Sequence, residues 1–133
     1  MSCKAALTVF PYHKTPEGKI FPIIPLRLWF KTKSADTSAL IDSGATTSIF
    51  RPEVAEELGL KVEKSKEIYL TGVGGRIKGY LHSLKIEIAG KQFICPIIFS
   101  YEFTVSLNLL GRERVFKNFV IVFDEKKKKV ELR

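Results

Sequence analysis

At 133 residues, with 45% hydrophobic and 27% charged residues, the chain has the composition of one globular domain large enough to bury a core. No apolar run reaches the ~20 residues a membrane helix needs, and Pro22 and Pro25 interrupt the best candidate, which argues against a membrane partner. The net charge of +8 would suit an acidic partner, but the dense basic run is confined to Lys126–Lys129 and no aromatic–basic alternation offers a base-stacking platform, so nucleic acid is not expected as the main partner.

The first residues carry a short apolar run that meets Pro11, Tyr12 and His13 without a small-residue cleavage site, so no signal peptide is expected. Cys3 lies near a terminus and Cys95 in an apolar run. They make no disulfide framework and suit a reducing, cytoplasmic compartment. Two cysteines and two histidines without short spacing give a metal site no support, and no cofactor is implied.

In chain order, Ala5–Phe10 reads as a short strand and Pro16-Glu17-Gly18 as a turn. From Ile23 the pattern alternates, with Leu26, Leu28 and Phe30 on one face and Arg27, Trp29 and Lys31 on the other; Pro25 puts the beginning of this strand at an edge or bulge. Residues 33–36 are expected to turn the chain back into a strand ending at Asp42, with Asp36 a structural acid in polar turn surroundings. Ser48–Phe50 is a short strand. Pro52–Leu58 is the best helix, with proline at its first position, Glu53 at the positive end of its dipole and Gly59 to close it. Residues 60–70 should be extended. Leu84, Ile86 and Ile88 alternate with Lys85 and Glu87, and Ala89-Gly90-Lys91 turns this strand into Phe93–Phe99. Thr104–Leu110 reads as a strand and Arg112–Lys117 as one or two helical turns. Phe119–Phe123 and Val130–Leu132 read as a terminal hairpin, within 119–132, around the lysine run. Many short strands and few helices predict an all-β, partly closed barrel forming a single domain over 1–133.

Ala39-Leu40-Ile41-Asp42-Ser43-Gly44-Ala45-Thr46 is the stretch with chemical character. Three apolar residues deliver an acid to the end of a buried strand, and Gly44 is expected to turn the backbone where a Cβ would resist. Taken alone, Asp-Ser-Gly also fits a turn in which Asp42 bonds its own backbone two residues on. Thr71-Gly72-Val73-Gly74-Gly75-Arg76-Ile77-Lys78 reads as a glycine-rich hairpin tip; a strand pattern follows it, where a phosphate loop would open a helix. Asn108-Leu109-Leu110-Gly111-Arg112 is an apolar pair closed by glycine.

Together, in this order, the three stretches resemble the retropepsin-like aspartic proteases: acid loop, flap, and hydrophobic-hydrophobic-glycine segment. The resemblance covers about residues 22–124. It implies a barrel with a flap hairpin and one or two short helices, and an endopeptidase in which two carboxylates sharing one proton activate water. Carboxylates about 3 Å apart cannot both ionise cheaply, so one keeps its proton while the other stays charged. One Asp-Ser-Gly per chain implies a homodimer with Asp42 facing Asp42. By the same resemblance, Ser43 would bond the partner's backbone beneath the dyad, Gly44 would accept the backbone of an extended peptide substrate, and Ala45 and Leu109 would line its pocket. Gly72, Val73, Gly74 and Gly75 would form the flap tip, and Gly111 would permit close packing near the acid loop. Thr46 and Thr47 depart from the viral pattern, where acids often stand, so Arg112 needs another partner. The Pro52–Leu58 helix looks more like cellular and retroelement members. The alternative is a catalytically silent dimeric module of the same fold that grips extended peptides.

Overall fold

The computed structural model describes residues 7–72 and 75–133. Strand β1 (Thr8–Pro11) is followed by a small hairpin of β2 (His13–Lys14) and β3 (Ile20–Phe21). The alternating stretch forms β4 (Ile23–Phe30), with Leu26 and Leu28 buried and Arg27 exposed, and it pairs along its whole length with β5 (Lys33–Ile41). The strand thus begins earlier than expected: residues 33–36 lie within β5, and the reversal falls at Lys31-Thr32. Asp36 sits mid-strand opposite Arg27, and its carboxylate takes a two-pronged guanidinium contact at 2.6 and 3.0 Å. That contact holds the Asp36 carboxyl below its ordinary range, on a fully exposed pair whose role is structural.

Next come β6 (Ser48–Phe50) and α1 (Pro52–Glu57). Proline stands in the first turn of α1, Arg51 supplies no side-chain cap, and Gly59 follows at φ +68, the left-handed conformation that suits glycine at a helix end. Val54, Ala55 and Leu58 go into the core together. Residues 60–65 turn rather than extend. Their successors form β7 (Lys66–Gly72), hairpin partner of the long β8 (Gly75–Ile88). Strands β9 (Lys91–Phe99) and β10 (Asn108–Leu110) follow, then a 3-10 turn (Phe116–Asn118), β11 (Ile121–Asp124) and β12 (Lys129–Leu132). Of the stretch 104–110, only the last three residues are a strand.

The large sheet runs β4-β5-β10-β6-β9-β8-β7, and an added β4–β8 pairing (Arg27↔Glu87 to Trp29↔Lys85) closes six strands into a ring. The protein is therefore all-β, with the barrel expected from its sequence. Strand β8 belongs to two structures: its C-terminal half is a barrel stave, and its N-terminal half projects with β7 as a hairpin. Gly79 marks the departure. A Cβ there would stand 2.5 Å from Ile98 Cγ2, so the hairpin's root packs directly on the barrel. Both prolines in the strands of the large sheet fall where one neighbour is missing. β8 joins β4 only beyond Pro25, and β6 joins β9 only beyond Pro96, so the lost N–H is tolerated.

Ile24, Leu28, Phe50, Leu58, Ile86, Ile88, Ile97, Phe99 and Leu110 fill the ring, with Phe50 and Phe99 edge to face. Cys95 is buried in it as a free thiol, and burial pushes that thiol up to about 11. The terminal hairpin is not alone. β1 pairs with β12, giving a three-stranded sheet β1-β12-β11 that unites the two ends of the chain. Among the described residues, no helix is long and apolar enough to cross a membrane.

Candidate active site

Asp42 is placed by backbone before any side chain acts. β10 lies parallel to β5 with Leu109 opposite Leu40 and Leu110 opposite Ile41, and the ladder continues as the Asp42 amide donates to the Leu110 carbonyl at 2.9 Å. The loop then folds on itself: the Ala45 amide donates to the Asp42 carbonyl at 3.2 Å, and the Gly44 amide donates to Asp42 Oδ1 at 2.9 Å. One carboxylate oxygen is thereby fixed, and no protein donor reaches Oδ2 among the described residues. Asp42 is half-buried, whereas Ser43 and Gly44 are exposed beside it.

Gly44 lies in the turn expected of it, without a left-handed conformation. Its requirement is proximity. A Cβ there would lie 3.3 Å from Asp42 Oδ1, crowding the oxygen that the glycine amide holds.

The second half of the loop is strapped to the segment after β10. The Arg112 amide donates to the Ala45 carbonyl and the Glu113 amide to the Thr46 carbonyl, both at 2.9 Å, while the Gly111 amide donates to the buried Ser48 hydroxyl at 3.0 Å. At Gly111 a Cβ would fall 2.5 Å from both the carbonyl carbon and oxygen of Thr47. Backbone cannot swing aside as a flexible side chain can. Gly111→Ala is therefore expected to destabilise the chain by about 3 kcal/mol, the upper end of the usual overpacking range, and to displace the acid loop. Urea denaturation measures this, and an unchanged midpoint would remove the argument. Arg112 makes no ion pair among the described residues, so its anchoring here is through its backbone.

A family model described as aspartyl protease matches residues 30–113, well over half the chain. The chain belongs to that family, which is of retropepsin-like type. The matched span runs from the end of β4 to just beyond Gly111, and so takes in the acid loop, the β7–β8 hairpin and the straps between them. No curated protein matches the chain.

Within this protease-family barrel, Leu109 stands in a cross-strand row. Ile23, Leu40, Leu109 and Ile49 oppose one another in turn across β4, β5, β10 and β6, and directly opposed residues share a face. The row crosses β5 two residues before Asp42, and Leu40, Leu109 and Ile49 are only half-buried. Ala45, also half-buried, sits in the acid loop itself. Gly72 closes the β7–β8 ladder opposite Gly75, which has φ +109 and open space around its Cα. Val73 and Gly74, expected at the hairpin tip, lie outside the described residues.

Asn108 was missed by the sequence reading. It is buried and ties together two separated segments: Nδ2 donates to Thr37 Oγ1 at 3.2 Å and to the Ser38 carbonyl at 3.0 Å, and Oδ1 accepts from the Arg51 amide at 2.8 Å. The side chain thus fixes β10 against β5 and the entry to α1, in the register that brings Leu110 to the Asp42 amide. Its partners lie 57 to 71 residues away in the chain, beyond any local pattern.

Proposed function

We propose that the chain is an aspartic endopeptidase active as a homodimer, with Asp42 of each protomer forming the catalytic dyad. The observation that carries this reading is the setting of the carboxylate. It stands at the open end of a barrel strand, held through Oδ1 by the Gly44 amide and through its own amide by Leu110, with Oδ2 free of protein donors among the described residues. A second copy brought up to the exposed Ser43-Gly44 surface supplies the other carboxylate, and Ser43 bonds the partner's backbone beneath the pair. One carboxylate takes a proton from water while the other gives a proton to the scissile carbonyl. The substrate lies extended over Gly44, with its side chains against Ala45 and the apolar wall of Leu109 and Leu40. The β7–β8 hairpin closes as a flap, with Gly72, Val73 and Gly74 at its tip. The buried free thiol of Cys95 suits work in a reducing compartment such as the cytoplasm.

The test is a cleavage screen of the purified chain against peptide libraries, with and without mimics carrying a hydroxyl in place of the attacked water. Cleavage should be bell-shaped in pH, fastest on the acid side of neutral, and blocked by the mimics. A rate that climbs steadily to pH 9 and ignores the mimics belongs to another mechanism. Peptide binding without cleavage would instead support the silent module.

A further inference from the structure

The root of the β7–β8 hairpin carries a cluster of cations that the peptidase chemistry does not use. A cavity of about 550 Å³ elsewhere, beside α1, has Arg51 in its wall, but with Glu53 and Glu57 to balance it. The cavity under the hairpin root, about 320 Å³, differs in that no acid lines it. Lys31 contributes from the β4–β5 turn, Lys61 and Lys64 from the segment leading into β7, and His82 from β8. A fourth cation stands beside them: the space a Cβ would take at Gly59, another lining residue, lies 3.2 Å from Lys33 Nζ.

None of these four lysines makes an ion pair among the described residues. The acid of the same segment, Glu63, does not line the cavity, and its influence is on Tyr101, whose pKa it raises. The floor is apolar, from Leu60 and Phe30, and Lys31 Nζ lies 5.3 Å from the centre of the Phe30 ring. Two backbone features shape the wall: Lys31 is held at φ 54, which side-chain-bearing residues seldom adopt, and Gly59 at φ +68. The His82 ring is fixed by its Nε2 contact of 2.8 Å to the Val62 carbonyl.

Like charges around a concavity repel one another, and their fields add within it, so the site attracts a compact anion that relieves the repulsion. The volume exceeds what a single small ion needs and falls at the low end for small-molecule sites. We infer that this cavity binds a ligand bearing two or more phosphate groups, bridging Lys31, Lys61 and Lys64 beside His82. The site stands independently of the peptidase reading. Its geometry also ties the segment entering β7 to strands β4 and β8, so occupancy stiffens the hairpin's root.

The experiment titrates inorganic pyrophosphate into the full chain at about 0.15 M salt, where exposed charges more than a Debye length apart are largely screened. Calorimetry follows binding, and nuclear magnetic resonance follows the His82 ring and the Gly59 amide. One saturable site is expected, with both resonances shifting and the unfolding temperature rising. Lys61→Ala/Lys64→Ala should weaken binding at least tenfold, and Lys61→Arg/Lys64→Arg should retain it. Lys126→Ala/Lys127→Ala, which removes equal charge from the terminal hairpin, should change it less than twofold. Comparison with a nucleoside diphosphate and with an inositol bisphosphate tells which source of the phosphates fits. Unsaturable binding, an unmoved His82 ring, or equal weakening by the terminal-hairpin variant would overturn the inference.

Discussion

Asp42→Asn is expected to give a folded chain whose peptide cleavage is lower by about 10²–10⁴-fold or more, the range associated with losing a positioned acid–base group. The substitution is nearly isosteric. An asparagine carbonyl oxygen can still accept the Gly44 amide where Asp42 Oδ1 does now, at 2.9 Å, and the backbone bond to Leu110 does not involve the side chain. The loop should therefore keep its shape. On the proposed mechanism, what disappears is the ability to share a proton with a facing carboxylate and to take one from water. Circular dichroism and thermal unfolding check the fold, and steady-state cleavage checks the chemistry. Activity within tenfold of the parent in a folded variant would sink the assignment of Asp42. So would an equal loss explained by unfolding, unless Asp42→Glu and Asp42→Ala separated the two effects.

The loop around that residue shows where a sequence is readable and where it is not. Asp42 stood out because three apolar residues run directly into an acid, a local pattern that the strand register confirms by setting Leu110 opposite Ile41. The helix was readable for similar reasons, since proline, Glu53 and Gly59 are all local signals. Gly44 was legible as a turn residue and lies in a turn; its need for a missing Cβ arises from the carboxylate folding back over it, which only the folded loop reveals. Residues 104–107 looked like strand because Thr and Val favour extended backbone, yet that preference is expressed only where a neighbouring strand is available. The pairing of β1 with β12 joins the chain's two ends and leaves no mark on either alone. Asn108 was hidden for the same reason. A polar residue before an apolar pair carries no sign that Thr37, Ser38 and Arg51 will converge on it.

The strongest test of a shared site is to dilute working chains with idle ones. Each chain has one Asp-Ser-Gly, at 42–44, so a lone protomer lacks the second carboxylate of a dyad. Parent chains exchanged at constant total concentration with Asp42→Asn chains should form mixed dimers holding one carboxylate and one amide, and these should be inactive. Random pairing leaves parent dimers in proportion to the square of the parent fraction, so an equal mixture should keep roughly one quarter of the activity. Exchange must be shown first, for instance by pulling down one tagged chain and finding the other. Dilution gives a companion result: specific activity should fall as dimers separate, at concentrations near their dissociation constant. A linear decline in the mixing experiment, after proven exchange, would mean that each chain works alone. Asp42 would then need its second group from within its own barrel. The described loop offers only the hydroxyls of Ser43, Thr46, Thr47 and Ser48, none of which can serve as a carboxylate partner, so the shared-proton mechanism would have to be given up.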